Sequence, residues 1–360
     1  MRILHLIDRM STGGAQALVV SLAMVQKEIG NEVEVLEVLK SPVRIFPERL
    51  EESGIKVHYI SEGSLYNPIR TFQIIPYLKG FDVVHVHLVP AVYWAAFAKI
   101  IRFSKIPLVY TKHSTGGHDR YDKVVKPLDW FVLKRVYKEV VACSEIAKQR
   151  MQERYKGLEC TYISNGIDVK SYSNALPYSP SELIGINEKS VILTMVARFG
   201  YPKRQDVVVD AVSLLPDNYH VCFVGGDGGN MESIKDKVKQ LNLVDRVHFL
   251  GIRSDVARVL QSSDVVCLAS NFEGLSLSSV EGMSVRKPFL ASNVDGLKEI
   301  VQGAGLLFDN NNPKELAEHL LALCSNRTYY QEISDKCFKR ALQYDIHETA
   351  KQYLAIYKRK

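Results

Sequence analysis

Two glutamates, Glu273 and Glu281, stand eight residues apart in the stretch Asn271 to Gly282, NFEGLSLSSVEG. A carboxylate accepts two hydrogen bonds from a vicinal diol, so such a pair suits the hydroxyls of a sugar or a ribose. The apolar run Asp264 to Leu268 reads as a buried strand, and Ser276, Ser278 and Ser279 lead into a helix-like stretch, Val280 to Arg286. That order places Glu273 at the carboxyl edge of a parallel sheet and turns the amides of Gly274, Leu275 and Ser276 outward as an anion site. Glu281 falls about one and a half turns into the helix. Two solvated side chains are the plain alternative.

A second group of candidates is cationic. Arg198 and Lys203 lie in the loop after the strand Val191 to Val196, one offering a planar fork and the other a point charge, and a diphosphate would use both. Exposed loop cations are the competing reading. Gly13 and Gly14 follow the first strand and precede a helix, Gln16 to Ile29, where bare backbone can approach a ligand. They do not form the GxGxxG fingerprint, which argues against a nicotinamide or flavin enzyme. His85 and His87 alternate along one strand and point to one face, as structural histidines or as part of a metal set, although no carboxylate or cysteine stands at ligand spacing. His113 sits just past a strand end, before Gly116 and Gly117.

These residues need a scaffold of strands and helices. Strand patterns at Arg2 to Ile7, Glu32 to Leu39, Lys56 to Ile60, Asp82 to His87, Pro107 to Lys112, Glu139 to Cys143 and Cys160 to Ile163 alternate with helical ones. The alternation restarts at Val191 and continues through His220 to Val224 and Val247 to Leu250, predicting α/β architecture with two doubly wound, Rossmann-like domains. The expected boundaries are 1–168, a polar linker 169–182 containing Pro177 and Pro180, and 183–343, with a last helix at about 344–360.

At 360 residues, with 46% hydrophobic and 24% charged, the composition is that of two ordinary globular domains. No apolar run reaches the length of about 20 residues needed to span a bilayer. The six cysteines make no metal spacing and read as reduced thiols, and the N-terminus has no signal-peptide pattern, so a cytoplasmic protein is expected. The net charge of +6 is concentrated in 99–156, with 14 Lys and Arg against 6 Asp and Glu. There Trp130, Phe131 and Leu133 lie among Lys134, Arg135 and Lys138, a composition suited to an anionic membrane surface, with an ordinary solvated helix as the alternative. No nucleic-acid partner is expected.

The run Glu273 to Val301, EGLSLSSVEGMSVRKPFLASNVDGLKEIV, resembles the signature of the retaining GT-B glycosyltransferases of family 4. Arg198 followed five residues later by Lys203 is similar to that family's pyrophosphate-binding pair, and Gly225-Gly226-Asp227-Gly228 and Asn165-Gly166-Ile167-Asp168 resemble its glycine turn and hinge. The resemblance implies two domains facing each other across a cleft, the second binding a UDP- or GDP-linked sugar and the first a glycan or lipid-linked acceptor. It implies donor contacts at Gly13, Gly14, Arg198, Lys203, Arg253, Gly274, Leu275, Ser276 and Glu281, with the backbone around Arg253 beside the base. His113 and Glu273 would meet the donor sugar and Glu281 the ribose. Hexosyl transfer with retention, without metal or cofactor, in cell-surface polysaccharide synthesis is the implied activity. Gln16, where relatives carry Glu, Ser276, where many carry Gly or Pro, and Ser284-Val285 depart from the pattern. An epimerase, a phosphorylase or a silent sugar-binding protein would share the architecture.

Overall fold

The computed structural model describes residues 1–11, 13–113, 122–274 and 276–359, with backbone alone at 61 and 122–125. The chain forms two units, Met1–Gly166 with Ile346–Lys360, and Ile167–Asp345. The stretch 169–182, expected as a linker, carries the short helix Val169–Ser173 and the start of a second, Pro180–Ile184, and groups with the second unit.

In the first unit seven strands, β1 (Arg2–Ile7), β2 (Glu32–Leu39), β3 (Lys56–Ser61), β4 (Val83–His87), β5 (Leu108–Lys112), β6 (Glu139–Ala142) and β7 (Thr161–Tyr162), pair in parallel in the order β3-β2-β1-β4-β5-β6-β7. Central strands of such a sheet are covered on both faces, so they read as continuous apolar runs. Ile3, Leu4, Leu6 and Ile7 of β1, with Val83, Val84 and Val86 of β4, are fully buried. His5, His85 and His87 are polar interruptions in those runs, equally buried. The helix Ile346–Lys358 buries Tyr353 and Tyr357 within this unit.

The second unit holds β8 (Val191–Val196), β9 (Tyr219–Val224), β10 (Val247–Gly251), β11 (Val265–Leu268), β12 (Phe289–Ser292) and β13 (Leu306–Phe308), all parallel, in the order β10-β9-β8-β11-β12-β13. In both sheets the order reverses beside the first strand, at β1 and β4 and at β8 and β11, and such reversal points are where open parallel sheets bind ligands at their carboxyl edge. Among the described residues no helix is long and apolar enough to cross a membrane.

The first helix spans Gly14–Glu28, starting two residues before the expected Gln16, and a second helix differs more. The helix after Glu273 spans Leu277–Ser284, not Val280 to Arg286. The side chain of Ser276 accepts the amide of Ser279 and starts the helix three residues early, and Arg286, at φ 57°, lies beyond its end in a left-handed conformation.

Candidate active site

Two loops at the carboxyl edge of the second sheet are locked through their backbones. The amide of Phe199 donates to Gly226 O at 2.9 Å, and that of Gly228 donates to Phe199 O at 2.6 Å. A Cβ on Gly228 would stand 2.7 Å from Phe199 O and 3.1 Å from Arg198 Nε, so only glycine lets the loop pass beneath the Arg198 side chain. Gln205, buried at the start of the next helix, donates from Nε2 to Arg198 O at 3.1 Å and anchors the same loop. The sequence reading missed Gln205; its only signal was position, one residue after the cationic loop.

The turn that carries Lys203 is tied to the strand end that carries Glu273. Arg204 N donates to Ala269 O at 3.0 Å, Asn271 N donates to Pro202 O at 3.0 Å, and Lys203 bridges Ser270. This brings Lys203 Nζ into an ion pair with Glu273 Oε1, both side chains being largely sheltered from solvent. Sequence reasoning assigned the cation to a diphosphate and the carboxylate to a sugar; in the ligand-free chain each is the partner of the other.

A third loop supports the pair. Glu273 N donates to Asp295 O at 3.1 Å, and Gly296, at φ +84°, lies so close that a Cβ there would sit 2.6 Å from Gly274 O and closer still to Glu273 O. Gly274 itself has open space around it, and Leu275 lies outside the described residues. Ser276 is taken up as the helix cap, and Glu281 stands half-buried in the second turn of that helix. Arg253, expected among the donor contacts, forms a two-pronged pair with Asp255 at 2.7 and 2.6 Å, and hydrogen bonding to this guanidinium holds the Asp255 carboxyl at about 2. The guanidinium is therefore a clamp within its own loop.

The remaining expected residues belong to the first unit. Gly13 precedes the helix Gly14–Glu28, and a Cβ on it would fall 2.6 Å from Gln16 Oε1. Gln16 donates to Arg9 O at 3.2 Å. His113 follows β5, and its Nε2 lies 3.0 Å from His87 Nδ1; its own Nδ1 is buried without a partner among the described residues. The loop glycines Gly116 and Gly117 lie outside the described residues.

His5, His85 and His87 each bring one ring nitrogen within 4.8 Å of the others, a spacing that an ion could share. All six nitrogens of these rings are already hydrogen-bonded. His5 reaches His87 at 3.0 Å and Gln26 at 2.8 Å, His87 also reaches His113, and His85 reaches Tyr357 at 2.6 Å and Thr111 at 2.7 Å. Burial lowers the pKa of His5 and His113 from 6.5 to about 4 and that of His85 and His87 well below 6.5. Each ring is neutral when folded and takes a proton on unfolding below pH 6.5, so its contribution to stability is complete above that pH and is lost as the pH falls toward 4. Asp8, raised to about 7 by burial, acts in the opposite sense, so the clean measurement is a difference between chains. Replacing His87 by Gln should reduce the pH slope of unfolding free energy by about 1.4 kcal/mol per pH unit across this window, as read from urea midpoints. An unchanged slope would mean that His87 is charged in the folded chain.

The first sheet also borders a cavity of about 730 Å³ at the ends of β1, β2 and β3, lined by Arg9, Lys40, Ser41, Arg44 and Tyr59 among others. Arg9 Nε and Arg44 Nη1 are buried there without hydrogen-bond acceptors among the described residues. Buried Glu37 offsets part of this charge, with Oε1 3.6 Å from Arg44 Nη1.

Two parallel sheets of seven and six strands, wound by helices, match the GT-B architecture. Two family models match: Glycosyltransferase Family 4 over residues 12–171 and Glycosyl transferases group 1 over residues 181–340. The chain belongs to the group 1 glycosyltransferases of family 4. It is 26% identical to a phosphatidyl-myo-inositol mannosyltransferase of Mycobacterium leprae, over 96% of this chain and 92% of that one. It is 27% identical to the UDP-Gal:alpha-D-GlcNAc-diphosphoundecaprenol alpha-1,3-galactosyltransferase of Escherichia coli, over 65% and 64%. Anabaena HepE in complex with UDP-glucose superposes with a TM-score of 0.83 at 21% identity, over 99% and 98% of the two chains.

Proposed function

We propose that this glycosyltransferase moves a hexose-type sugar, with retention and without metal or cofactor, from a UDP- or GDP-linked donor to a glycan or lipid-linked acceptor in cell-surface polysaccharide synthesis. The observation that carries the reading is the Lys203–Glu273 pair at the carboxyl edge, next to the loop that presents Arg198. Breaking a glycosyl bond to phosphate places charge on the leaving diphosphate, and fixed cations stabilise that charge where water is excluded. Arg198 and Lys203 supply this countercharge. Glu273 then exchanges its lysine partner for sugar hydroxyls, and Glu281 takes the ribose. His113 contributes a ring nitrogen to the donor sugar, and the departing phosphate oxygen takes the acceptor's proton. The acceptors named for the two curated relatives are lipids carrying phosphate or diphosphate, and the cavity of Arg9, Lys40 and Arg44 suits such a group.

The test is a panel of nucleotide sugars screened by thermal shift, followed by assay of nucleoside diphosphate released with the stabilising donor in chelator. Release only when an acceptor such as a diphosphoprenyl sugar is added is the expected result. Turnover of the donor alone, or activity restored only by manganese, would overturn it.

A lipid-linked acceptor would be met by a cytoplasmic enzyme peripheral to the inner face of the plasma membrane, and this is the location proposed. The apolar contact surface is not the one expected from Trp130 and Leu133. Leu133 is buried, and the Trp130 ring is covered by Lys134 and Arg135 at 5.2 and 5.9 Å. Phe131 remains exposed, and Phe103, between Arg102 and Lys105, is 91% exposed. Binding to anionic vesicles at low salt should fall several-fold in Phe103→Asp and in Lys134→Glu/Arg135→Glu, and with added salt. Sedimentation that is indifferent to all three would favour a soluble acceptor.

A further inference from the structure

Four histidines of the first unit, His5, His85, His87 and His113, form one hydrogen-bonded array, and its ends lie far apart in sequence. From Gln26 one branch runs Gln26 Oε1 to His5 Nε2, His5 Nδ1 to His87 Nε2, and His87 Nδ1 to His113 Nε2, at 2.8, 3.0 and 3.0 Å. The other runs Gln26 Nε2 to Tyr357 Oη, Tyr357 Oη to His85 Nδ1, His85 Nε2 to Thr111 Oγ1, and Thr111 Oγ1 to Tyr353 Oη, at 3.3, 2.6, 2.7 and 2.9 Å. His5, His85, His87, Gln26 and Thr111 are fully buried, so no solvent supplies an alternative partner.

A neutral imidazole has one donor and one acceptor nitrogen, and an amide has a donor end and an acceptor end. The consequence propagates along both branches. Gln26 Oε1 can only accept, so His5 must donate from Nε2 and accept at Nδ1. His87 must then donate from Nε2, and so must His113. On the other side Gln26 Nε2 can only donate, so the Tyr357 hydroxyl accepts from it and donates a hydrogen bond to His85 Nδ1, and His85 donates from Nε2 to Thr111. All four rings are thereby Nε2-protonated. Turning the amide over would reverse every bond and make all four Nδ1-protonated, because a buried chain of this kind has only two self-consistent states.

We infer that Gln26, acting through His5 and His87, is a positioning residue that sets whether His113 offers a bare lone pair or an N–H at its unpartnered Nδ1. With the amide oriented toward His5 through its oxygen, Nδ1 is an acceptor and selects a ligand hydroxyl or other hydrogen-bond donor over a carboxylate or phosphate oxygen. The link from this state to turnover rests on the place of His113 in the proposed transfer reaction; the tautomer itself does not.

Imidazole ¹⁵N spectra of the full ligand-free chain at neutral pH read the array directly, with His113 assigned by its absence in His113→Gln. The expected spectrum has His5, His85, His87 and His113 all as the Nε2–H tautomer. In Gln26→Leu the His113 signal should become a mixture of both tautomers. Tyr357→Phe, which touches neither His113 nor His87, should do the same, because it frees the amide to turn. Rings of differing tautomer in the unaltered chain, or a His113 signal unchanged in the folded variants, would overturn the inference. Should Gln26→Leu fail to fold, Tyr357→Phe and the unaltered spectrum still decide it. A correct spectrum in a chain that transfers no sugar would defeat the proposed reaction and leave the array intact.

Discussion

Glu273→Gln is expected to lower turnover by about 10²- to 10³-fold while leaving donor affinity within a few-fold of the unaltered chain. The carboxamide keeps the shape of the side chain but removes the charge that pairs with Lys203, so sugar positioning is lost and the lysine is left free to attract the diphosphate. Glu281→Ala should behave differently. Its proposed contact is to the ribose, which does not react, so loss of those hydrogen bonds should weaken donor binding by about tenfold with little change in turnover at saturation. Calorimetric titration with the donor and initial rates of nucleoside diphosphate release separate the two. Equal losses of affinity with turnover intact in both would remove the assignment of these carboxylates.

The second large effect is expected from a residue with no functional atoms. Gly296→Ala forces a Cβ into the backbone of Glu273 and Gly274 and places an alanine at φ +84°. The backbone conformation alone costs roughly 1–3 kcal/mol, and the clash is relieved only by moving the loop that aims Glu273. Both thermal stability and activity should collapse. Gly303→Ala is the control: its φ is +78°, but nothing lies within 4 Å of its Cβ, so it bears strain without collision and should lose some stability while keeping its rate. Comparable activity in the two variants at a temperature where both are folded would show that the Gly296 contact does not hold the site.

Much of the scaffold was legible because parallel strands are apolar from end to end. The seven expected strands of the first half match β1 to β7 within a residue or two, and Gly225-Gly226 follows the end of β9 as expected. The placement of Lys203 and Glu273 in loops after strand ends was legible too, from the apolar runs that precede them. What could not be read was partnership. Lys203 and Glu273 are 70 residues apart, and no local pattern indicates that one neutralises the other. His5 is a lone histidine in an apolar strand, and Gln26 one of two glutamines on the helix Gly14–Glu28; only the β1–β4 register, which sets His5 beside His85, reveals them as one array. The start of the helix at Leu277 was missed because the hydroxyl of Ser276 outweighed the weaker apolar periodicity further on.

The placement of Tyr353 and Tyr357 bears on how the protein is made. A ribosome delivers residues 1–166 well before 346–360, yet the two stretches form one unit. Until the final helix emerges, Gln26 and His85 have no tyrosine hydroxyl between them, and the helix Gly14–Glu28 lacks the apolar face that Ile346–Lys358 provides. The usual rule that the leading domain folds first is then inverted. The contiguous unit 167–345, although translated later, is the first that can complete its core, and the nascent leading half must wait, with buried polar groups unmatched, for residues 346–360 to emerge. Arrested chains lacking the last 15 residues should therefore protect the second unit from protease while the first remains cleavable.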